Sequence, residues 1–370
     1  MKCYVCDKDI TPETETDEHI IINAAGGRLK SKKLICVTCN SRFGQEIDSV
    51  LAKQLNSLAN MLMIKRHRGE PQPILGDKES TGEQYLLEVG GKPRLSKPIV
   101  TKRTEAEKTS ISVRARSEKE LREILKGIAK KHPHFDVEEA MKSATWRNEY
   151  FSEPISVDTE VGGKEVFRAV CKCATNFFIY LNGDVLQIKH LIPFIEGLEE
   201  RDIVWMHYQD DLYELNSNEC FHLIHLIGKE KEGILYCYVD YFNTYKYLVL
   251  LNDNYKGVEI NQSYCFDLIN VVPIERTSKI DYDKQTLLKF FTHKDSKPFE
   301  RVKKSFDHSL AIGIKRQDEF QRGQILERAI QNSLGKYPEG TNITEQMLDE
   351  VINEIAETIV PYLLKEPKQT

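Results

Sequence analysis

The sequence predicts an α+β fold, in which a small N-terminal domain precedes a larger α+β body with antiparallel strands and a helical C-terminal tail. Three observations predict it. Four cysteines within the first 40 residues form two Cys-x-x-Cys pairs, short β-branched and aromatic runs follow one another between residues 221 and 268, and apolar residues recur three or four positions apart after residue 305. Such patterns are typical of a metal-stapled unit, of strands joined by hairpins and of amphipathic helices.

The composition is that of a globular protein. Hydrophobic residues make up 40% and charged residues 29% of 370 residues, which excludes a wholly disordered chain. The net charge of -5 does not mark a nucleic-acid binder, although a local basic patch can still bind one. We find no apolar run long enough to span a membrane and no signal-peptide core, so we expect a cytoplasmic protein without a membrane partner.

We divide the chain into four regions. Residues 1–68 carry the suggestive chemistry and end in a helix over residues 43–64, which is followed by a glycine and two prolines. The other regions are a mixed α+β insert over 69–160, a helix with antiparallel strands over 161–300, and a helical C-terminal region over 301–370. In the insert we expect a helix over 117–131, because Ser117 and Glu120 form a capping-box pattern.

The region 161–300 contains the predicted sheet. A helix is expected over 164–181, before Asn182-Gly183. Four short runs rich in β-branched and aromatic residues then predict strands at 221–227, 234–241, 245–251 and 264–268. The first three are separated by loops whose lengths suit antiparallel hairpins.

The cysteine pairs predict a structural zinc site. Cys3, Cys6, Cys36 and Cys39 form two knuckles, and the two-residue gap in each lets both sulfurs turn toward one ion. Four thiolates complete a tetrahedral zinc shell and leave no open position. The odd total of nine cysteines and the lack of an export signal also favour metal binding over disulfides.

Chemically suggestive residues lie between and beside the knuckles. Glu18 to Ile22 predicts a short strand, Gly26-Gly27 a tight loop, and Asn40 lies at the start of the following helix. Because neighbouring strand residues point to opposite faces, Glu18 and His19 need a bend to serve one site. A carboxylate, an imidazole and an amide at one end of a strand-loop-strand-helix unit suit a Mg²⁺ or Mn²⁺ ion.

Residues 3–44 resemble the HNH endonucleases, and most of all the branch whose ββα-metal motif is stapled by two Cys-x-x-Cys knuckles. The resemblance is carried by Glu18-His19-Ile20-Ile21, Asn23, Gly26-Gly27 and Cys36-Val37-Thr38-Cys39-Asn40. It implies that Glu18 and Asn40 hold the catalytic divalent ion and that His19 is the general base. Lys33 falls near the position of the family's middle asparagine, which braces the loop between the strands. Either Asn23 takes that bracing role here or the loop needs no brace.

A basic run lies next to this motif. Arg28, Lys30, Lys32 and Lys33 place four cations within six residues, and Arg42 extends them along the helix. A solvated surface loop is the ordinary interpretation of such a run. Beside a phosphodiester-cleaving motif, the run is instead a candidate contact for the phosphate backbone.

The resemblance implies a metal-dependent endonuclease that hydrolyses phosphodiester bonds, in DNA in the first instance, with RNA left open. One HNH site cuts one strand, so a homodimer is the simplest source of a double-strand cut. A stand-alone nuclease with a large body resembles restriction-type or other phage-defence nucleases. Two other classes stay open: a catalytically inactive zinc-ribbon protein that binds nucleic acid, and a zinc-stapled protein-interaction module.

Overall fold

The computed structural model describes residues 1–105, 108–145, 153–294 and 298–363. In chain order, its helices are α1 (Val37–Phe43), α2 (Ser49–Met61), α3 (Glu118–Ala129), α4 (Val137–Lys142), α5 (Lys164–Tyr180), α6 (Ile192–Ile195), α7 (Lys284–Thr292), α8 (Pro298–Leu334) and α9 (Glu345–Leu363). Its strands are β1 (Glu18–His19), β2 (Lys30–Ser31), β3 (Ile74–Lys78), β4 (Gln84–Leu87), β5 (Pro93–Leu95), β6 (Ile99–Glu105), β7 (Lys108–Arg114), β8 (Ile155–Ser156), β9 (Val204–Met206), β10 (Phe221–Lys229), β11 (Ile234–Tyr241), β12 (Tyr245–Asn252), β13 (Ile260–Asp267) and β14 (Val272–Ile274). The α+β fold class is confirmed.

The chain forms two compact units. The first contains Met1–Gln72 and Thr159–Arg316, and the second contains Pro73–Asp158 and Gln317–Thr370. The division of the sequence into four regions stays a prediction, because a unit of close contacts need not be a domain that folds alone. None of the helices in the described ranges is long and apolar enough to cross a lipid bilayer.

The N-terminal hairpin is shorter than predicted. β1 and β2 are antiparallel and pair Glu18 with Ser31 and His19 with Lys30. The expected strand over 18–22 ends at His19, and Ile20, Ile21 and Ile22, which follow it, are buried. The backbone instead turns into a short 3₁₀ helix over Asn23–Ala25.

The helix that follows the second knuckle starts earlier than predicted and is interrupted. α1 begins directly after Cys36, so Asn40 lies one turn inside the helix. A π-helical turn over Gly44–Asp48 then connects α1 to α2. Such a turn inserts extra backbone into the helix and rotates the residues that follow it, and π turns are frequent at functional sites.

Gly27 is required by the close approach of two backbone segments. A Cβ atom at Gly27 would lie 1.8 Å from the carbonyl oxygen of Ile21. We therefore expect Gly27→Ala to lower the free energy of unfolding by about 1–3 kcal/mol, because the hairpin must move apart. Gly44→Ala is the matched control: Gly44 has helical dihedral angles and no atom within 4 Å of an added Cβ. It should raise stability by up to about 1 kcal/mol in thermal unfolding, and equal losses in both variants would contradict the explanation.

The first unit is built around a six-stranded antiparallel sheet in the order β14-β13-β10-β11-β12-β9. The predicted strands are confirmed, with β13 beginning four residues before the expected position. One face of the sheet packs against α5, α2 and the N-terminal motif through a continuous apolar core. The other face packs against α7 through Leu287 and Phe291. The sheet therefore fixes α5 beside the cysteine knuckles.

The second unit contains two small β structures, α3, α4, the part of α8 after Arg316, and α9. Its four-stranded sheet has the order β5-β4-β3-β8, and β6 and β7 form a hairpin. The predicted helix and its Ser117 N-cap are confirmed: the Ser117 side chain accepts a hydrogen bond from the backbone N–H of Glu120. The Glu120 carboxylate accepts from the backbone N–H of Arg116, one residue before the position that a capping box uses. The helical tail corresponds to α8 and α9, which are joined by a hydrogen bond of 2.8 Å from the Asn332 amide to the Glu354 carboxylate.

Candidate functional site

The four knuckle cysteines meet at one point. Their sulfur atoms all lie within 4.8 Å of one another, and the Sγ atoms of Cys6 and Cys36 are 3.8 Å apart. Tetrahedral coordination with Zn–S bonds of about 2.3 Å requires sulfur separations of about 3.8 Å. Burial opposes ionisation of Cys36, but hydrogen bonds from the Cys39 backbone and the neighbouring thiols lower its pKa to about 7. The cluster could therefore hold one metal ion such as zinc.

The predicted catalytic residues line one cavity of about 250 Å³. Glu18 and His19 come from β1, Asn23 from the 3₁₀ turn and Asn40 from α1. Glu18 and His19 are neighbours in β1, and both line the cavity. The cavity also contains residues that were not predicted, among them Asp48 at the end of the π turn.

Glu18 is held by residues from α5. The Glu18 side chain is buried, and its Oε1 atom lies 2.7 Å from Nζ of Lys172. The same oxygen accepts a hydrogen bond of 2.8 Å from Nδ2 of Asn176, whose Oδ1 accepts one of 2.8 Å from the Tyr4 hydroxyl. Burial raises the pKa of the Glu18 carboxyl, and the Lys172 ammonium opposes that shift. The contacts with Lys172 and Asn176 thus fix the orientation of the Glu18 carboxylate at the cavity.

Lys172 also contacts a second carboxylate. Its Nζ atom lies 2.5 Å from Oδ2 of Asp48, while the lysine side chain is only 2% exposed. Burial opposes the charge of Lys172, but the carboxylates of Glu18 and Asp48 outweigh it and raise the lysine pKa. The Oδ1 atom of Asp48 is buried and has no hydrogen-bond partner among the described residues. Two carboxylates and one ammonium leave this group with one net negative charge.

Sequence reasoning missed Lys172, Asn176 and Asp48. A signal for Lys172 was present, because this lysine interrupts an otherwise apolar and small-residue run in the helix predicted over 164–181. Lysine is almost never fully buried unless it is paired. The sequence does not show which carboxylates provide the pairing, since Lys172 lies 124 positions from Asp48.

His19 presents an unpartnered nitrogen. Its Nε2 atom is buried and makes no hydrogen bond within the described part of the chain. Burial is the main cause that lowers the His19 pKa to about 4, and the positive charge of Lys30 adds to it. The imidazole is therefore neutral near pH 7 and can accept a proton.

The two asparagines have different surroundings. Nδ2 of Asn40 donates to the Thr16 hydroxyl at 2.9 Å, which assigns the other amide atom, Oδ1, as an available acceptor. Oδ1 of Asn23 accepts from the backbone N–H of His67 at 2.9 Å, and Nδ2 donates to the Arg68 carbonyl at 3.2 Å. Asn23 therefore ties the 3₁₀ turn to the segment that follows α2. Its bracing role in the loop between the strands stays a prediction.

Most of the predicted basic residues have partners inside the chain. Lys30 pairs with Asp17 at 2.6 Å, and Lys32 pairs with Glu15. Arg42 pairs with Glu196, and the Arg28 guanidinium donates to the Lys65 carbonyl at 2.7 Å. Lys33 is exposed. A phosphate backbone would have to compete with nearby carboxylates for three of these five side chains.

The donor set at the cavity fits a hard divalent cation. Carboxylate oxygens of Glu18 and Asp48 and the amide oxygen of Asn40 are the ligand types that Mg²⁺ and Mn²⁺ prefer. The unpartnered Oδ1 of Asp48 is an acceptor that a cation would satisfy. The net negative charge of the Glu18, Lys172 and Asp48 group favours a positive ion electrostatically.

Comparison with known proteins agrees with this geometry. Residues 3–56 match the family model described as HNH endonuclease. No curated protein and no solved structure matches the chain. The matched segment contains both knuckles, the hairpin, α1 and the π turn. The resemblance is therefore confirmed for this segment: residues 3–56 form an HNH endonuclease-type domain, with four cysteines placed to hold one metal ion.

Proposed function

We propose that the protein is a metal-dependent endonuclease that hydrolyses phosphodiester bonds in DNA. The observation that best supports this proposal is the unpartnered Nε2 atom of His19, which lines the same cavity as Glu18 and Asn40. A buried imidazole nitrogen without a partner is costly in a folded protein, and a proton-transfer role explains why one is retained. The match of residues 3–56 to HNH endonucleases supports the same reaction class.

The side chains divide the reaction between them. His19 Nε2 accepts the proton from a water molecule as that water attacks the phosphorus, and the bond from phosphorus to the leaving oxygen breaks. Glu18 and Asn40 would hold a Mg²⁺ or Mn²⁺ ion, which supplies charge stabilisation at the phosphate and the leaving oxygen. Lys30 lies opposite His19 in the hairpin and is a candidate phosphate contact, together with Arg28, Lys32, Lys33 and Arg42.

Cleavage of supercoiled plasmid tests the proposal. The full chain with bound zinc should nick or linearise plasmid in Mg²⁺ or Mn²⁺. Cleavage should stop when EDTA is added and resume when the divalent ion is restored in excess. A parallel reaction with RNA separates the two substrate classes. Binding that weakens with salt but never leads to cleavage in either ion would favour the inactive nucleic-acid-binding protein. Absence of binding to both nucleic acids would favour the protein-interaction module.

The biological setting belongs to the same proposal. A homodimer would supply two HNH sites for a double-strand cut, and restriction or other phage defence would use such a cut in the cytoplasm. Light scattering during size-exclusion chromatography tests the homodimer, because a monomer at every concentration would contradict it. Phage plating on cells that express wild type or His19→Ala tests the defence role, because equal plating contradicts it.

A further inference from the structure

Three charged side chains from three separate segments meet beside the cavity, and two of them line it. Glu18 comes from β1, Asp48 from the π turn, and Lys172 from the centre of α5. We propose that Asp48 is a further oxygen ligand of the divalent ion, and that Lys172 is the positioning residue that holds Asp48 and Glu18 at the cavity. This inference rests on the proposed function, because it concerns the ion of the same site.

The geometry separates the two oxygens of Asp48. Oδ2 lies 2.5 Å from the Lys172 ammonium, which leaves Oδ1 buried and without a partner in the described ranges. Asp48 lines the cavity together with Glu18, His19 and Asn40. One oxygen thus fixes the side chain while the other is available to a cation. The π turn that ends at Asp48 sets where this carboxylate lies relative to α1.

Lys172 restrains both carboxylates at once. Its ammonium contacts Oε1 of Glu18 and Oδ2 of Asp48, and Asn176 from the same helix donates to Oε1 as well. Because one ammonium contacts both carboxylates, Lys172 fixes the positions of the two proposed ligands relative to each other. Lys172 is itself almost fully buried, so its place is set by the packing of α5.

The two possible roles of Lys172 predict opposite changes in ion affinity when this lysine is replaced. Glu18, Asp48 and Lys172 carry one net negative charge, and replacing Lys172 with an uncharged residue makes the ionised group more negative. If Lys172 merely competed with the divalent ion, its loss would strengthen ion binding. If Lys172 positions the two ligands, its loss weakens ion binding in spite of the added negative charge.

The ligand role of Asp48 is tested by titrating the zinc-loaded full chain with Mn²⁺. The EPR signal of free Mn²⁺ gives the binding affinity. Asp48→Asn should weaken binding by at least about tenfold, as losses at metal sites commonly do. Glu46→Gln is the matched control, because Glu46 is an exposed carboxylate in the same π turn. It should bind Mn²⁺ like wild type. Equal affinity of Asp48→Asn and Glu46→Gln would overturn the ligand assignment.

The same titration measures the positioning role. Lys172→Met should weaken Mn²⁺ binding by about tenfold or more, while Lys164→Met, an exposed lysine at the start of α5, should not. Unchanged or tighter binding in Lys172→Met would overturn the role. If that variant does not fold, Lys172→Arg keeps the charge with a different shape. It should weaken binding at a wild-type melting temperature, and unchanged affinity would overturn the role.

The titration also separates this inference from the proposed function. If the wild-type protein binds Mn²⁺ through Asp48 but cuts neither DNA nor RNA, the ion-site inference stands and the nuclease proposal is wrong. A wild type that cuts plasmid while Asp48→Asn and Lys172→Met bind Mn²⁺ normally would retain the nuclease and refute the inference. A wild type that binds no Mn²⁺ refutes both.

Discussion

Replacing His19 with alanine is expected to reduce plasmid cleavage in Mn²⁺ by about 100- to 10,000-fold, the usual contribution of a general base. The reason is the Nε2 atom, which is buried at the cavity, neutral near pH 7, and unpartnered in the described ranges. Alanine removes the proton acceptor and leaves the carboxylates and the amide in place. The measurement is the initial rate of nicking, with Mn²⁺ binding and melting temperature determined on the same preparation.

His134→Ala is the control for this result, because His134 is exposed and lies in the second compact unit. Its nicking rate should equal that of wild type. His19→Ala should retain its melting temperature, since the replaced nitrogen makes no hydrogen bond within the described chain. Nicking that survives in His19→Ala would show that another group, or another protein in the preparation, removes the proton.

Replacing Cys36 with serine is expected to abolish zinc binding and to unfold the N-terminal domain. Cys36 supplies one of four sulfurs that lie within 4.8 Å of one another, and three ligands no longer complete the shell. Structural zinc contributes about 10–16 kcal/mol in small zinc domains, which exceeds the stability of most whole domains. Metal content by mass spectrometry should fall from one zinc ion per chain to a small fraction, and cleavage should be lost with it.

Cys265→Ala is the matched control for the zinc experiment. Cys265 is a buried cysteine in β13, on the face of the sheet that packs against α7. Its replacement should leave one zinc ion per chain and unchanged cleavage. A zinc content that is insensitive to Cys36→Ser, or one that falls equally in both variants, would mean that the N-terminal knuckles do not form the site.

Local patterns explain what could be predicted from the sequence. Two Cys-x-x-Cys pairs, a Gly-Gly loop and the Ser117 cap each depend on residues a few positions apart, so spacing is sufficient to recognise them. β10 and β11 were predictable because both of their faces are buried, which favours near-continuous apolar runs. The π turn was not predictable, because its signal is a change of helical phase within an otherwise regular apolar pattern.

Long-range pairing explains what could not be predicted. Glu18 and Asn176 are separated by 158 positions, and nothing in the spacing of either shows that they meet. The predicted strand over 18–22 is wrong after His19, where the backbone leads into the 3₁₀ helix over Asn23–Ala25. The pairing of the basic residues also depends on distant residues, as the ion pair of Arg42 with Glu196 shows. Tertiary contacts thus decide how the motif is held.

The position of α5 in the chain has a consequence for synthesis. A ribosome that has made the first 100 residues has already released both knuckles, the hairpin and α2, but not Lys172 or Asn176. Until α5 emerges, Glu18 has neither of its α5 partners, and a prematurely terminated chain never acquires them. A cavity whose Glu18 carboxylate needs partners from α5 is therefore assembled only after that helix has been made, so nascent and truncated chains lack the supported form of the site.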